Sequence, residues 1–127
     1  MFSSNIVTDK SLLHRKSAPY EFNDDHHPDL LSAHIKKMVK ENNAFGISGV
    51  QFNYPFRVFG IYTTDSKFEV LFNPELVSIA DETLIPEEEG CLSFPNLILK
   101  IKRPKSIVVR YQNENQEWIS NQLDGYY

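Results

Sequence analysis

Two short stretches hold residue types that could do chemistry. The first, Pro86 to Pro95, reads PEEEGCLSFP and contains the only cysteine, Cys91. Glu87, Glu88 and Glu89 run into it, and Gly90 precedes the thiol, where a residue without a Cβ lets another group approach closely. A thiolate nucleophile or metal ligand needs this kind of turn with polar groups in reach. The plainer reading is a buried structural cysteine after a solvated acidic run, since free cysteine is among the most buried residue types. The second stretch, Ala44 to Gln51, reads AFGISGVQ. Gly46, Ser48 and Gly49 form a small-residue turn, and the amide of Gln51 could donate to a developing oxyanion. A simple helix-to-strand turn explains that stretch equally well.

The elements that must position these residues can be read from periodicity. Pro28 suits a first helical position and Asp29 the positive end of a helix. Leu31, Ile35, Met38 and Val39 recur at helical spacing, so a helix is predicted over Pro28 to Glu41. His34 falls off that apolar face, which makes it a solvated side chain. Ser11 to Leu13 offers one short helical turn. After Ala44 the pattern turns to strands: Arg57 to Thr63, Phe68 to Phe72, Glu75 to Ala80, Leu97 to Ile101, Ser106 to Tyr111 and Glu117 to Gln122. Asn73-Pro74 breaks the second from the third, Asn113 to Asn115 makes a hairpin turn, and Leu123-Asp124-Gly125 turns again. One helix followed by short antiparallel strands implies an α+β fold in a single domain over residues 1–127.

Composition narrows the function classes. With 41% apolar and 13% aromatic residues the chain can build a core. A net charge of −4 without a basic block argues against nucleic acid as a partner. A lone cysteine cannot form an internal disulfide and fits a reducing compartment. No apolar run approaches a membrane span, and the N-terminus lacks the apolar core of a secretory signal. The expected location is cytoplasmic. A thiol-redox role is disfavoured, because there is no second cysteine and no C-x-x-C.

Taken together and in order, AFGISGVQ, Asn73-Pro74-Glu75, Glu89-Gly90-Cys91-Leu92-Ser93 and Arg103 resemble the peptide deformylases. The resemblance spans nearly the whole chain, and EGCLS at Glu89 to Ser93 is its most characteristic part. The first family motif, G-x-G-Φ-A-A-x-Q with Φ apolar, stands here as Ala44 to Gln51. Gly46, Ile47 and Gln51 match, while Ala44 replaces the first glycine and Ser48 and Gly49 replace the two alanines.

The resemblance implies a metallohydrolase that removes the N-formyl group from the initiator methionine of nascent polypeptides. It implies N-formylmethionyl peptides and nascent chains at the ribosome as partners, in the cytoplasm of a bacterium or its infected host, or in an organelle. It implies a divalent metal, usually ferrous iron, with zinc or nickel as alternatives. Carried over residue by residue, Cys91 becomes a metal ligand. Gln51 and the backbone N–H of Leu92 become oxyanion donors, and Phe45, Gly46 and Gly90 line the peptide site. Glu89 and Arg103 brace it.

The third family motif, an H-E-x-x-H on a helix that supplies two histidine ligands and an acid/base glutamate, has no counterpart here. The four histidines, His14, His26, His27 and His34, all precede the first motif. The expectation is a C-terminally incomplete domain, inactive alone, with strand side chains left uncovered where that helix packs. A non-catalytic homologue that binds formyl-peptides or a partner chain is the alternative.

Overall fold

The computed structural model describes residues 2–22, 27–62, 67–79, 83–84, 89–91, 94–99, 103–104 and 106–124, with the segments from 83 to 104 and residue 124 as backbone only. A short helix, α1 (Lys10–Leu13), is capped by Asp9, whose carboxylate accepts from the Ser11 N–H at 2.9 Å. The main helix, α2 (Pro28–Glu41), has the expected bounds, with Pro28 in its first turn, Asp29 beside it and Lys40 in the last turn. Leu31, Ile35, Met38 and Val39 are its buried residues. Each such burial contributes about 1.5–3 kcal/mol relative to exposure.

The end of α2 aims the chain at the first candidate stretch. Asn43 takes a left-handed conformation (φ 51°). Its N–H reaches the Lys40 carbonyl at 3.3 Å, and the Ala44 N–H reaches Val39 at 3.0 Å. This is a Schellman closure with asparagine in place of the usual glycine. It delivers Phe45 directly into β1 (Gly46–Ser48). A 3-10 turn (Gly49–Phe52) follows. The loose small-residue turn expected here is thus a strand followed by an ordered turn.

Strands β2 (Val58–Tyr62), β3 (Phe68–Ile79), β8 (Ser106–Gln112) and β9 (Trp118–Asp124) complete an antiparallel five-stranded sheet in the order β1-β2-β3-β8-β9. Side chains alternate across it. Val58, Val70 and Phe72 face α2 in one core with Ile47, Phe52 and Tyr20. Leu71, Val109 and Tyr111 form a second core with Phe59, Ile61, Ile107, Ile119 and Leu123. Two small antiparallel pairs, β4 (Thr83–Leu84) with β7 (Arg103–Pro104) and β5 (Glu89–Cys91) with β6 (Phe94–Leu99), lie between β3 and β8 in the sequence. This is the expected α+β architecture. No described helix is long and apolar enough to cross a membrane.

The structure corrects three further expectations. Asn73-Pro74 does not end a strand. The chain passes through it as a bulge inside twelve-residue β3, with Asn73 at φ 51° and the register to β8 shifting between Phe72 and Glu75. A bulge admits an extra residue while pairing resumes beyond it. The turn expected at Leu123-Asp124 is instead the end of β9, where Leu123 pairs with Ile107 and Asp124 with Ser106. Gly125 lies outside the described residues.

His34 is the third correction. It is half-buried, with Nε2 2.8 Å from the Ser3 carbonyl and its ring 5.5 Å from Phe2 and 5.4 Å from Phe52. The N-terminal arm folds over that side of α2 and covers part of it.

At the far end of the sheet the surface is more apolar. Leu76, Val77 and Ile79 of β3 are each more than half exposed. Trp118 at the start of β9 is capped by the Arg110 guanidinium, 4.1 Å from its ring centroid. The expected hairpin turn is present, and Asn113 Oδ1 accepts from the N–H groups of Asn115 and Glu117.

Candidate active site

Gln51 is the third residue of the 3-10 turn, and Ser48 caps that turn. The Gln51 amide oxygen accepts from the Ser48 backbone N–H at 3.0 Å and from the Ser48 hydroxyl at 3.2 Å. Ser48 Oγ in turn accepts from the Gln51 backbone N–H, which completes a reciprocal capping box. A backbone N–H can only donate, so the atom facing it must be Oε1. The amide is therefore oriented with its NH2 as the opposite end.

The turn's backbone is fixed from two further directions. The Gln51 carbonyl accepts from the Val7 N–H at 2.7 Å, and the Gly49 carbonyl from the Tyr54 N–H at 2.9 Å. Gly49 is fully enclosed: a Cβ there would lie 2.5 Å from the Tyr54 carbonyl oxygen and 3.0 Å from that of Phe56. Glycine stands here where the family motif has alanine, and the neighbouring carbonyls occupy the space a Cβ would take.

Gly46 pairs with Ile61, and a Cβ on it would lie 2.8 Å from the Gly60 carbonyl oxygen. Its lack of a side chain is used by the β1–β2 contact. Phe45, just before it, is 86% exposed, while its carbonyl accepts from the Tyr62 N–H at 3.0 Å. A large apolar side chain held out from an ordered backbone is a ready contact for an apolar ligand group.

The cysteine stretch is built separately. Glu89 pairs with Leu99, Gly90 with Ile98 and Cys91 with Phe94, with an irregularity between Gly90 and Cys91. Arg103 pairs with Leu84 in β7. Leu92 lies outside the described residues, as do the side-chain contacts of Glu89, Cys91 and Arg103. Among the described residues no hydrogen-bonded ladder joins β5–β6 to the five-stranded sheet whose first strand leads into the Gln51 turn.

Among the described residues no group of three or more His, Cys, Asp or Glu could hold a metal ion. His14 is the exposed C-cap of α1, His27 the exposed N-cap of α2, and His34 is engaged by Ser3 and the aromatic arm. His26 lies outside the described residues. The described residues thus do not fit a three-donor metal site.

A further polar cluster centres on Tyr111. Tyr111 donates to Glu69 Oε2 at 2.7 Å and accepts from Asn121 Nδ2 at 2.8 Å. Burial, and then the Glu69 carboxylate, push the Tyr111 phenol up from its usual value. Its partners sit on β3 and β9, so it ties three strands together.

Sequence reasoning missed Ser48 as a polar participant, because it was read only as a small residue. The signal was present: Ser three positions before Gln is a capping-box spacing.

The model of the polypeptide deformylase family matches residues 4–127. The chain is 32% identical over 129 residues to a peptide deformylase of Thermotoga sp. (strain RQ2), covering 99% of this chain and 74% of that relative. It is 31% identical over 120 residues to peptide deformylase 2 of Clostridium acetobutylicum, covering 94% of this chain and 78% of the other. The crystal structure of peptide deformylase from Thermotoga maritima superimposes with a TM-score of 0.88 at 28% identity, over 99% of this chain and 83% of that one. A probable peptide deformylase from Synechococcus phage S-SSM7 gives 0.85 at 26% identity, over 98% and 85%. Sequence and architecture agree over essentially all 127 residues, and the chain belongs to the peptide deformylase family.

Proposed function

We propose that this chain, as one domain over residues 1–127, binds the N-formyl end of formyl-methionyl peptides and donates from Gln51 to the formyl oxygen. The reaction served is hydrolysis of the formyl amide of an initiator methionine, with water consumed and formate and a free amine released. The observation that carries this reading is the oriented amide of Gln51, whose Oε1 is held by both the N–H and the hydroxyl of Ser48, which fixes the NH2 as the opposite end of the amide. A preorganised donor of this kind is worth about 2.7–4 kcal/mol in a transition state that develops an oxyanion.

Exposed Phe45 offers an apolar contact for the methionine side chain, beside the backbone of Gly46. In the same reading the Leu92 N–H is a second donor, Gly90 lines the peptide site, and Glu89 and Arg103 brace the loop. Cys91 offers one thiolate to a divalent metal, iron first and zinc or nickel as alternatives. One thiolate is not a metal site, because a stable site needs a defined set of donors. The proposal therefore gives this polypeptide peptide binding, oxyanion stabilisation and one thiolate, and metal chemistry requires further donors beside Cys91. Its partners are nascent polypeptides at the ribosome, in a cytoplasm or organelle where translation starts with formyl-methionine.

A second reading, a binding module that holds formyl-peptides without hydrolysing them, is favoured by the lack of a three-donor group among the described residues. Calorimetric titration with formyl-Met-Ala and Met-Ala, followed by a formate-release assay with added Fe2+, Ni2+ or Zn2+, separates the two. Preference for the formylated peptide supports both readings, and turnover with one metal per chain selects the hydrolase. Equal affinity for the two peptides sinks both.

A further inference from the structure

We propose that the Ser48 hydroxyl is a positioning residue that fixes which end of the Gln51 amide faces the substrate. This role rests on Gln51 being the donor to the formyl oxygen. A glutamine amide turns about its last torsion in a broad, roughly two-fold well, so either the oxygen or the NH2 can face a ligand. Only the NH2 end can donate to a formyl oxygen. In this chain two donors converge on Oε1, the Ser48 N–H at 3.0 Å and the Ser48 hydroxyl at 3.2 Å. The hydroxyl also accepts from the Gln51 backbone N–H, so one side chain ties together both the amide and the turn that carries it. The family pattern has alanine at this position, which leaves only the backbone bond. Serine adds a second restraint that alanine lacks.

The turn does not depend on the hydroxyl for its shape. The Gly49 carbonyl is held by the Tyr54 N–H and the Gln51 carbonyl by the Val7 N–H. Enclosed Gly49 seats the turn against the Tyr54 and Phe56 carbonyls. Ser48→Ala therefore leaves the amide held by the residue 48 N–H alone while the backbone stays in place, and Ser48→Thr restores a hydroxyl in an extended conformation that suits a β-branched residue (φ −101°, ψ 157°).

The test measures two things on the intact chain and on the Ser48→Ala and Ser48→Thr variants. One is the order parameter of the Gln51 side-chain NH2 by 15N relaxation. The other is affinity for formyl-Met-Ala against Met-Ala. In Ser48→Ala the order parameter falls, and affinity for the formylated peptide drops about five- to tenfold, the scale of one hydrogen bond. Affinity for Met-Ala stays the same, and Ser48→Thr recovers both losses. Thermal unfolding confirms that each variant is folded. An unchanged order parameter in Ser48→Ala overturns the role, and so does an equal loss for both peptides. A parent chain that does not distinguish the two peptides overturns the donor role of Gln51. In that case, amide order that still depends on Ser48 shows that the lock exists without this use.

Discussion

Asn73 serves Tyr20 as a strand would. Its Oδ1 accepts from the Tyr20 N–H at 2.6 Å, and its Nδ2 donates to the Tyr20 carbonyl at 3.0 Å. The same Nδ2 reaches Gln112 Oε1 at 2.9 Å, and the Asn73 backbone N–H reaches Arg57 at 2.9 Å. One bulge residue thus fastens the N-terminal arm, β8 and the entry to β2.

Replacing Asn73 should therefore cost more than an ordinary surface change. Asn73→Ala removes three side-chain hydrogen bonds, each worth about 0.5–1.5 kcal/mol net, and leaves in the left-handed region a residue without the polar side chain that offsets its strain. A loss of about 2–4 kcal/mol in urea unfolding is expected. Asn73→Gly should recover about 1 kcal/mol of it, because the backbone strain disappears while the missing bonds do not. If the two variants are equally stable, the left-handed backbone carries none of the cost.

The alkaline limb of stability belongs to buried phenols. Burial, followed by the nearby Tyr54, pushes Tyr20 up to about 12, and burial raises Tyr54 as well. Tyr111 is raised by burial and then by Glu69. In each case the folded state holds the proton to higher pH than the unfolded state, which releases it near 10. The stabilisation is complete below that pH and is lost as pH rises through the folded values. Urea midpoints should be flat from pH 7 to 9 and fall between 10 and 12, and Tyr20→Phe should flatten part of that fall. An unaltered slope in Tyr20→Phe would remove Tyr20 from the account.

Gly49 and Gly60 should tolerate no methyl group, for different reasons. At Gly49 the obstacle is backbone, the Tyr54 carbonyl oxygen at 2.5 Å. At Gly60 a Cβ would sit 2.4 Å from Ile35 Cγ2 and 2.6 Å from Phe68 Cζ, where α2 rests on β2. Each alanine should cost about 1–3 kcal/mol, the usual range for overpacking. Only Gly49→Ala should also lower affinity for a formylated peptide, since it displaces the turn that carries Gln51. Equal peptide affinity in the two variants would detach Gly49 from the site.

Metal content is a direct check on the donor set. After incubation with Fe2+, Ni2+ or Zn2+ and desalting, the 127-residue polypeptide should retain well below one ion per chain and release no formate from formyl-Met-Ala. Cys91→Ala should leave that content unchanged. One ion per chain, lost in Cys91→Ala, would mean that donors outside the described residues complete a site around the thiolate.

How much of this could be read from the sequence depended on whether the deciding interaction was local. Helix α2 was legible to the residue, because Leu31, Ile35, Met38 and Val39 fix its periodicity and Pro28 its start. The stretch Ala44 to Gln51 stood out as a pattern, while the role given to Gln51 rests on the proposal above. Asn73-Pro74 misled, since asparagine in the left-handed region serves turns and bulges alike. What makes it a bulge is its bonds to Tyr20 and Gln112, far away in the chain. His34 misled for the same reason: a helical wheel records its own helix but not the arm that Phe2 and Ser3 lay across it. Ser48 was visible as a residue type, but its work depends on the backbone of a turn that periodicity does not reveal.

The guanidinium of Arg110 over Trp118 makes the hairpin its own optical reporter. Trp118 is the single tryptophan, so all indole emission comes from the start of the edge strand β9. Stacking by a cation shields that ring and shifts its emission relative to a free, hydrated indole. Fluorescence therefore follows the β8–β9 hairpin alone, while far-ultraviolet circular dichroism follows α2 together with the sheet. A single cooperative unit would give the same midpoint by both methods. Separated midpoints would mark the β8–β9 edge as a region that opens before the helix-covered core.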